Sequence, residues 1–213
     1  MDYLKEQVSG WTREIRGNHS PQWVNLPELD LYMDQVIVLM EKYLDVFERG
    51  EDDKLVTPSM INNYVKMGLI SPPENKKYSR NHIARLMVVC ILKQILPITN
   101  ITELINSQGE EMQIDELFDL FGEEQDQALV SVADYVDENI ESLTDEDEEQ
   151  ILSLLALKLT VTANANKLAA ERIITLIKEQ QKRVKELEKE KEKEEKEREK
   201  ESHKNKEVKP PKQ

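Results

Sequence analysis

Apolar positions recur at helical spacing along most of this chain, and few turn-bounded, β-branched strand patterns interrupt them. Leu4, Val8, Trp11 and Ile15 fall on one stripe of a 3.6-residue period and predict a short first helix, broken by Pro21. Leu29, Met33, Val36, Ile37, Met40, Leu44 and Phe47 predict a longer amphipathic helix ending near Gly50, with a polar turn at Glu51–Lys54. Thr57-Pro58 opens the next helix as cap and first residue, and Gly68 closes it where a positive φ is wanted. Ser71-Pro72-Pro73 is not helical. Ser79 caps a helix over Arg80–Leu96 whose apolar residues (Ile83, Leu86, Met87, Val88, Cys90, Ile91, Ile95) cover most faces, the mark of a core helix. Pro97 stops it, and a short helix around Asn100–Ile105 follows.

After Gln108-Gly109 the composition turns acidic. Helices are expected at about Ile114–Phe121 and Gln127–Ile140, and a long one from about Glu148 with Ile151, Leu154, Leu155, Leu168, Ile173 and Ile177 on its apolar face. Thr160, Thr162, Asn164 and Asn166 interrupt its heptad. Lys182–Glu201 is almost pure Glu and Lys, with pairs four apart that prolong a helix, and Lys209-Pro210-Pro211 ends it. The fold class expected is mainly α. The expected organisation is an N-terminal arm at 1–25, a domain at 26–106, an acidic helical region at 107–180 suited to dimerisation, and a Glu/Lys-rich tail at 181–213.

Charge sharpens this division. The net charge of −14 argues against a nucleic-acid partner, yet it hides an asymmetry. From Lys54 to Lys93 the bases are Lys54, Lys66, Lys76, Lys77, Arg80, Arg85 and Lys93, against one acid, Glu74. From Glu110 to Glu149 acids dominate. Met1–Ser9 has no apolar core, and the stretch Ile83–Leu92 carries Arg85 and is far short of the roughly 20 residues of a membrane span. A soluble cytoplasmic protein is therefore expected. Cys90 alone can form neither an internal disulfide nor a cysteine cage, and His19, His82 and His203 form no ligand cluster. No glycine-rich phosphate loop, nucleophile elbow or local Cys–His pair is present, so neither an enzyme nor a cofactor is expected.

The run Thr57–Ile70, Thr-Pro-Ser-Met-Ile-Asn-Asn-Tyr-Val-Lys-Met-Gly-Leu-Ile, is followed by a Pro- and Lys-containing loop and Tyr78-Ser79-Arg80. This order resembles the winged helix-turn-helix of MerR-type regulators over about residues 26–106. The resemblance places the recognition helix's apolar residue on Ile61, its tyrosine on Tyr64, its exit on Gly68-Leu69-Ile70 and the wing on Ser71–Tyr78. The family's usual arginine falls on Asn62 and its adjacent aromatic on Asn63, so the chain departs there. Leu26–Val36 together with Met60–Lys66 also looks like a bacterial family described as a domain of unknown function, which implies a fold and no activity.

The residue chemistry suits double-stranded DNA. Thr57 and Ser59 offer hydroxyls and backbone N–H groups to phosphate at a helix start. Asn62 and Asn63 have the amide geometry that pairs with adenine. Lys66, Lys76, Lys77 and Arg80 are placed to neutralise phosphates. Tyr64 reads as a core or hinge aromatic, His82 as a capping or surface group, and Cys90 as a buried small hydrophobe. The Glu/Lys tail reads as a solvated helix or extension, and the acid run Thr144–Glu149 as a helix start, since it lacks a calcium-loop pattern. The expected function is a DNA-binding transcription regulator, and the resemblance implies a dimer formed through the long helix; a small-molecule inducer is not legible. The alternative is a protein-interaction adaptor on the same shell that no longer binds DNA. In a further reading, the acidic half shields the basic face.

Overall fold

The computed structural model describes residues 3–47, 54–107, 113–141 and 148–207. It is mainly helical. Among the described residues seven helices appear: α1 (Tyr3–Gly17), α2 (Met33–Leu44), α3 (Pro58–Lys66), α4 (Arg80–Leu92), α5 (Ile98–Ser107), α6 (Ile114–Ile140) and α7 (Glu148–Glu207). One two-stranded antiparallel ribbon pairs β1 (Leu31–Tyr32) with β2 (Lys77–Tyr78), Leu31 opposite Tyr78 and Tyr32 opposite Lys77. None of these helices is long and apolar enough to cross a membrane. The turn at Glu51–Lys54, the Gln108-Gly109 break, the run Thr144–Glu149 and the Lys209-Pro210-Pro211 end fall wholly or partly outside the described residues. Residues 1–168 form one compact unit and 169–213 a second, the division falling within α7.

Among the described residues of the first unit, two groups of buried apolar residues hold the elements together. One surrounds α4, which buries Ile83, Ala84, Leu86, Met87, Val89, Cys90 and Ile91. α2 adds Val36, Met40 and Leu44, one residue per turn, and α3 adds Ile61 and Tyr64. Leu69, Ile70 and Tyr78 from the segment between α3 and α4 are also buried. The second group is Val136, Ile140 and Leu155, with Val8, Ile151, Leu152 and Leu159 packed against it. It ties α1, α6 and the start of α7 together.

Four local expectations are corrected. The helix expected from Leu29 begins at Met33, because Leu31–Tyr32 are extended and bonded to β2; Leu29 is 81% exposed. The inward stripe of α1 is Val8, Thr12 and Ile15, with Leu4 and Trp11 outside, and the buried Thr12 hydroxyl is satisfied on that side by Ser9 O and the Asp137 carboxylate. α4 stops at Leu92 and leaves Ile95 exposed, since Pro97 disfavours helical backbone just before it. The two acidic helices are one, α6. Gly122 lies inside it, where a Cβ would meet Ser20 Cβ at 3.1 Å, so the glycine permits a close approach and breaks nothing. On α7, Leu154, Leu168 and Ile173 are exposed, whereas Leu155 is buried.

Candidate nucleic-acid interface

Local sequence builds α3 tightly. The Thr57 hydroxyl accepts from Met60 N–H at 3.2 Å and Pro58 occupies the first turn. At the other end Gly68 takes φ +73, Leu69 N–H donates to Tyr64 O at 3.0 Å, and Gly68 N–H donates to Val65 O at 3.0 Å. This paired ending satisfies carbonyls that the helix leaves free. Ile61 and Tyr64 turn inward. Burial pushes the Tyr64 hydroxyl up to about 12, with nearby Cys90 adding to the shift, and burial pushes the Cys90 thiol to about 12 as well. Cys90 is thus an inert core residue, and Tyr64 a core aromatic.

With Ile61 and Tyr64 committed to the interior, Ser59, Asn62, Asn63 and Lys66 line one exposed stripe at spacings of three, one and three residues. Asn63 Nδ2 rests on Met67 Sδ at 3.5 Å, within its own helix. Thr57 is half-buried, its oxygen used for capping.

The loop after α3 closes with a tight turn. Lys77 N–H donates to Glu74 O at 2.8 Å, and both central residues are left-handed, Asn75 at φ 49 and Lys76 at φ 63. Such a turn favours glycine at its second central position; this chain places an exposed lysine there. Lys77 Nζ lies 5.1 Å from the centre of the Tyr32 ring, a cation–π contact across the ribbon.

Arg80 departs from its expected outward role. Its guanidinium lies 5.4 Å from the Trp23 ring and 3.4 Å from Glu28 Oε1, and its side chain is only 20% exposed. Its Nε and Nη2 are buried without hydrogen-bond partners among the described residues. Behind it, His82 locks the loop's two ends. Ser79 N–H donates to His82 Nδ1 at 3.0 Å, and His82 Nε2 stands 3.1 Å from Ser71 Oγ. Nδ1 is therefore an acceptor, and the proton on Nε2 is directed to Ser71. His82 is a buried cap, and its signal in the sequence was its place three residues after Ser79.

The acids of α6 have other work. Asp119 accepts Trp23 N–H at 2.6 Å, and Asp126 accepts Ser20 N–H at 2.9 Å and Ser20 O–H at 2.8 Å. Asp134 and Asp137 each take a 2.8 Å bond from Arg16, and Asp137 also accepts from buried Thr12 at 2.7 Å. The Thr12 hydroxyl, then Arg16, hold the Asp137 carboxyl below the usual aspartate range. Residues 1–25, expected as an arm, thus include a helix laced along α6. Among the described residues no group of three metal-ligating side chains comes together.

Comparison with known proteins gives one match: the family described as Domain of unknown function (DUF1836) covers residues 21–131, just over half of the 213-residue chain. No curated protein and no solved structure matches.

Proposed function

The chain belongs to the DUF1836 family, and from that premise we propose that it is a regulator binding duplex DNA through a MerR-like winged helix-turn-helix of α2, α3 and the Glu74–Tyr78 turn. One observation carries this reading: α3 presents Ser59, Asn62, Asn63 and Lys66 on a single exposed face, while Ile61 and Tyr64 anchor the opposite one. Two amides and a cation on the outer face of a short capped helix are the chemistry of major-groove readout. Lys76 supports it, since a left-handed position that glycine would occupy more easily holds a cation instead. In this assignment Asn62 and Asn63 read bases, Ser59, Lys66 and Lys76 contact phosphates, and Thr57 and Arg80 position the module from within.

The active species is proposed to be a homodimer. Leu154, Leu157, Val161 and Leu168 of α7 are each more than half exposed, and with Asn164 they follow three-four spacing through residue 168. A single polar residue in such a seam sets register.

Selection of binding sites from a random duplex pool by the purified chain tests the reading. Enrichment of a defined site is expected, and no retention of any duplex even at low salt overturns it. The adaptor reading is favoured by a specific feature: two of the expected cations, Lys77 and Arg80, are engaged within the protein. A protein partner recovered by pull-down that survives nuclease treatment, with no duplex retained, is its distinguishing result.

A further inference from the structure

A half-open cavity of about 330 Å³ lies between α4, α5 and α6. This is within the size range of small-molecule sites. Val88 and Leu92 from α4, Leu104 from α5 and Phe121 from α6 line it, and each is only half-buried, so their apolar surface is not closed off by the described chain. Two charged residues border it, Arg85 on α4 and Glu124 on α6.

The two charges are not equivalent. Arg85 is half-buried and interrupts α4, which buries more residues than any other described helix, while Glu124 is exposed. Arg85 makes no ion pair with a described residue, Glu124 included, whereas Arg16, Lys54 and Arg80 each have a carboxylate partner. Coulombic attraction strengthens as the surroundings become less polar, so the half-buried cation acts on an occupant more strongly than the solvated carboxylate. An apolar body would bury the lining, and an anionic head would give Arg85 the partner that the described residues do not supply.

We propose that this cavity is a binding site for a small apolar carboxylate, an anion with a hydrocarbon or aromatic body, held by Arg85. The assignment is independent of whether the chain binds DNA, because α3 and the Glu74–Tyr78 turn contribute nothing to the lining.

Calorimetric titration of the full chain with octanoate, octanol and octylamine tests it. Octanoate is expected to bind at least tenfold more tightly than the other two. Arg85→Gln should lower octanoate affinity about tenfold and leave octanol unchanged, while Arg85→Lys should retain most of it. Val88→Trp, which fills the cavity, should abolish octanoate binding, with unchanged helical circular dichroism verifying the fold of each variant. Absence of octanoate binding, a preference for octylamine, or undiminished octanoate affinity in Arg85→Gln would each overturn the proposal; the last also serves as the check if Val88→Trp fails to fold.

Discussion

The basic segment 54–93 and the acidic helix α6 carry opposite charge, and they use it differently. On α6, Asp119, Asp126, Asp134 and Asp137 all accept hydrogen bonds from residues 12–23. They hold the N-terminal segment in place. In the basic segment, Lys66 and Lys76 are exposed and make no ion pair with a described residue. A charge already bonded inside the fold is poorly placed to meet a partner, so the net charge of −14 is a weak guide to what this protein binds. The reading in which acids shield the basic face loses these four aspartates as shielding groups.

The sharpest way to test that division is on α3 itself, where neighbouring residues face opposite ways. Ile61→Ala removes a fully buried side chain and is expected to cost about 2–5 kcal/mol in urea unfolding. Asn62→Ala, one residue on and exposed, should shift stability by no more than about 0.5 kcal/mol. Equal costs would mean that the stripe is packed and not displayed.

On the acidic side, Thr12→Val keeps the shape of a fully buried residue and removes the donor to Asp137. A loss of about 1 kcal/mol is expected, below the range for buried bonds to charged groups because Asp137 is 35% exposed. The pH dependence follows from the lowered Asp137 pKa. Folding favours its ionised form, so this stabilisation is fully present above about pH 4, the unfolded value, and is lost as pH falls through the lower folded value. Urea midpoints measured from neutral pH down to pH 3 should fall in that window, and less steeply in Thr12→Val.

Lys76→Gly separates stability from binding. Glycine relieves the left-handed strain, so stability should stay level or rise by up to about 1 kcal/mol, while duplex affinity falls. Smallest is a pair of glycines. Gly10→Ala in α1 meets no atom within 4 Å and should stabilise by about 0.5–1 kcal/mol in thermal melts. Gly122→Ala should not, because Ser20 stands 3.1 Å away and Asp126 holds it there.

What the sequence revealed was what neighbouring residues decide. The Thr57 cap, the Gly68 ending and the inward Ile61 and Tyr64 rest on interactions within a few residues. The outward stripe of α3 follows from helical period once those two are placed. The long-range partners were not legible. Thr12 meets Asp137 from 125 residues away and Trp23 meets Asp119 from 96, pairings that no local spacing encodes. Arg80 was expected to face outward for the same reason, since Trp23 and Glu28, which hold it, precede α2. The late start of α2 likewise depends on β2, more than forty residues on.

The most direct test of the central claim is the salt dependence of duplex affinity, compared between the native chain and Lys66→Ala/Lys76→Ala. The log of the binding constant is expected to fall linearly with the log of salt concentration. The variant's slope should be shallower by about 0.9 for each lost phosphate contact, hence by about two per bound chain. Identical slopes, or affinity indifferent to salt, would contradict it.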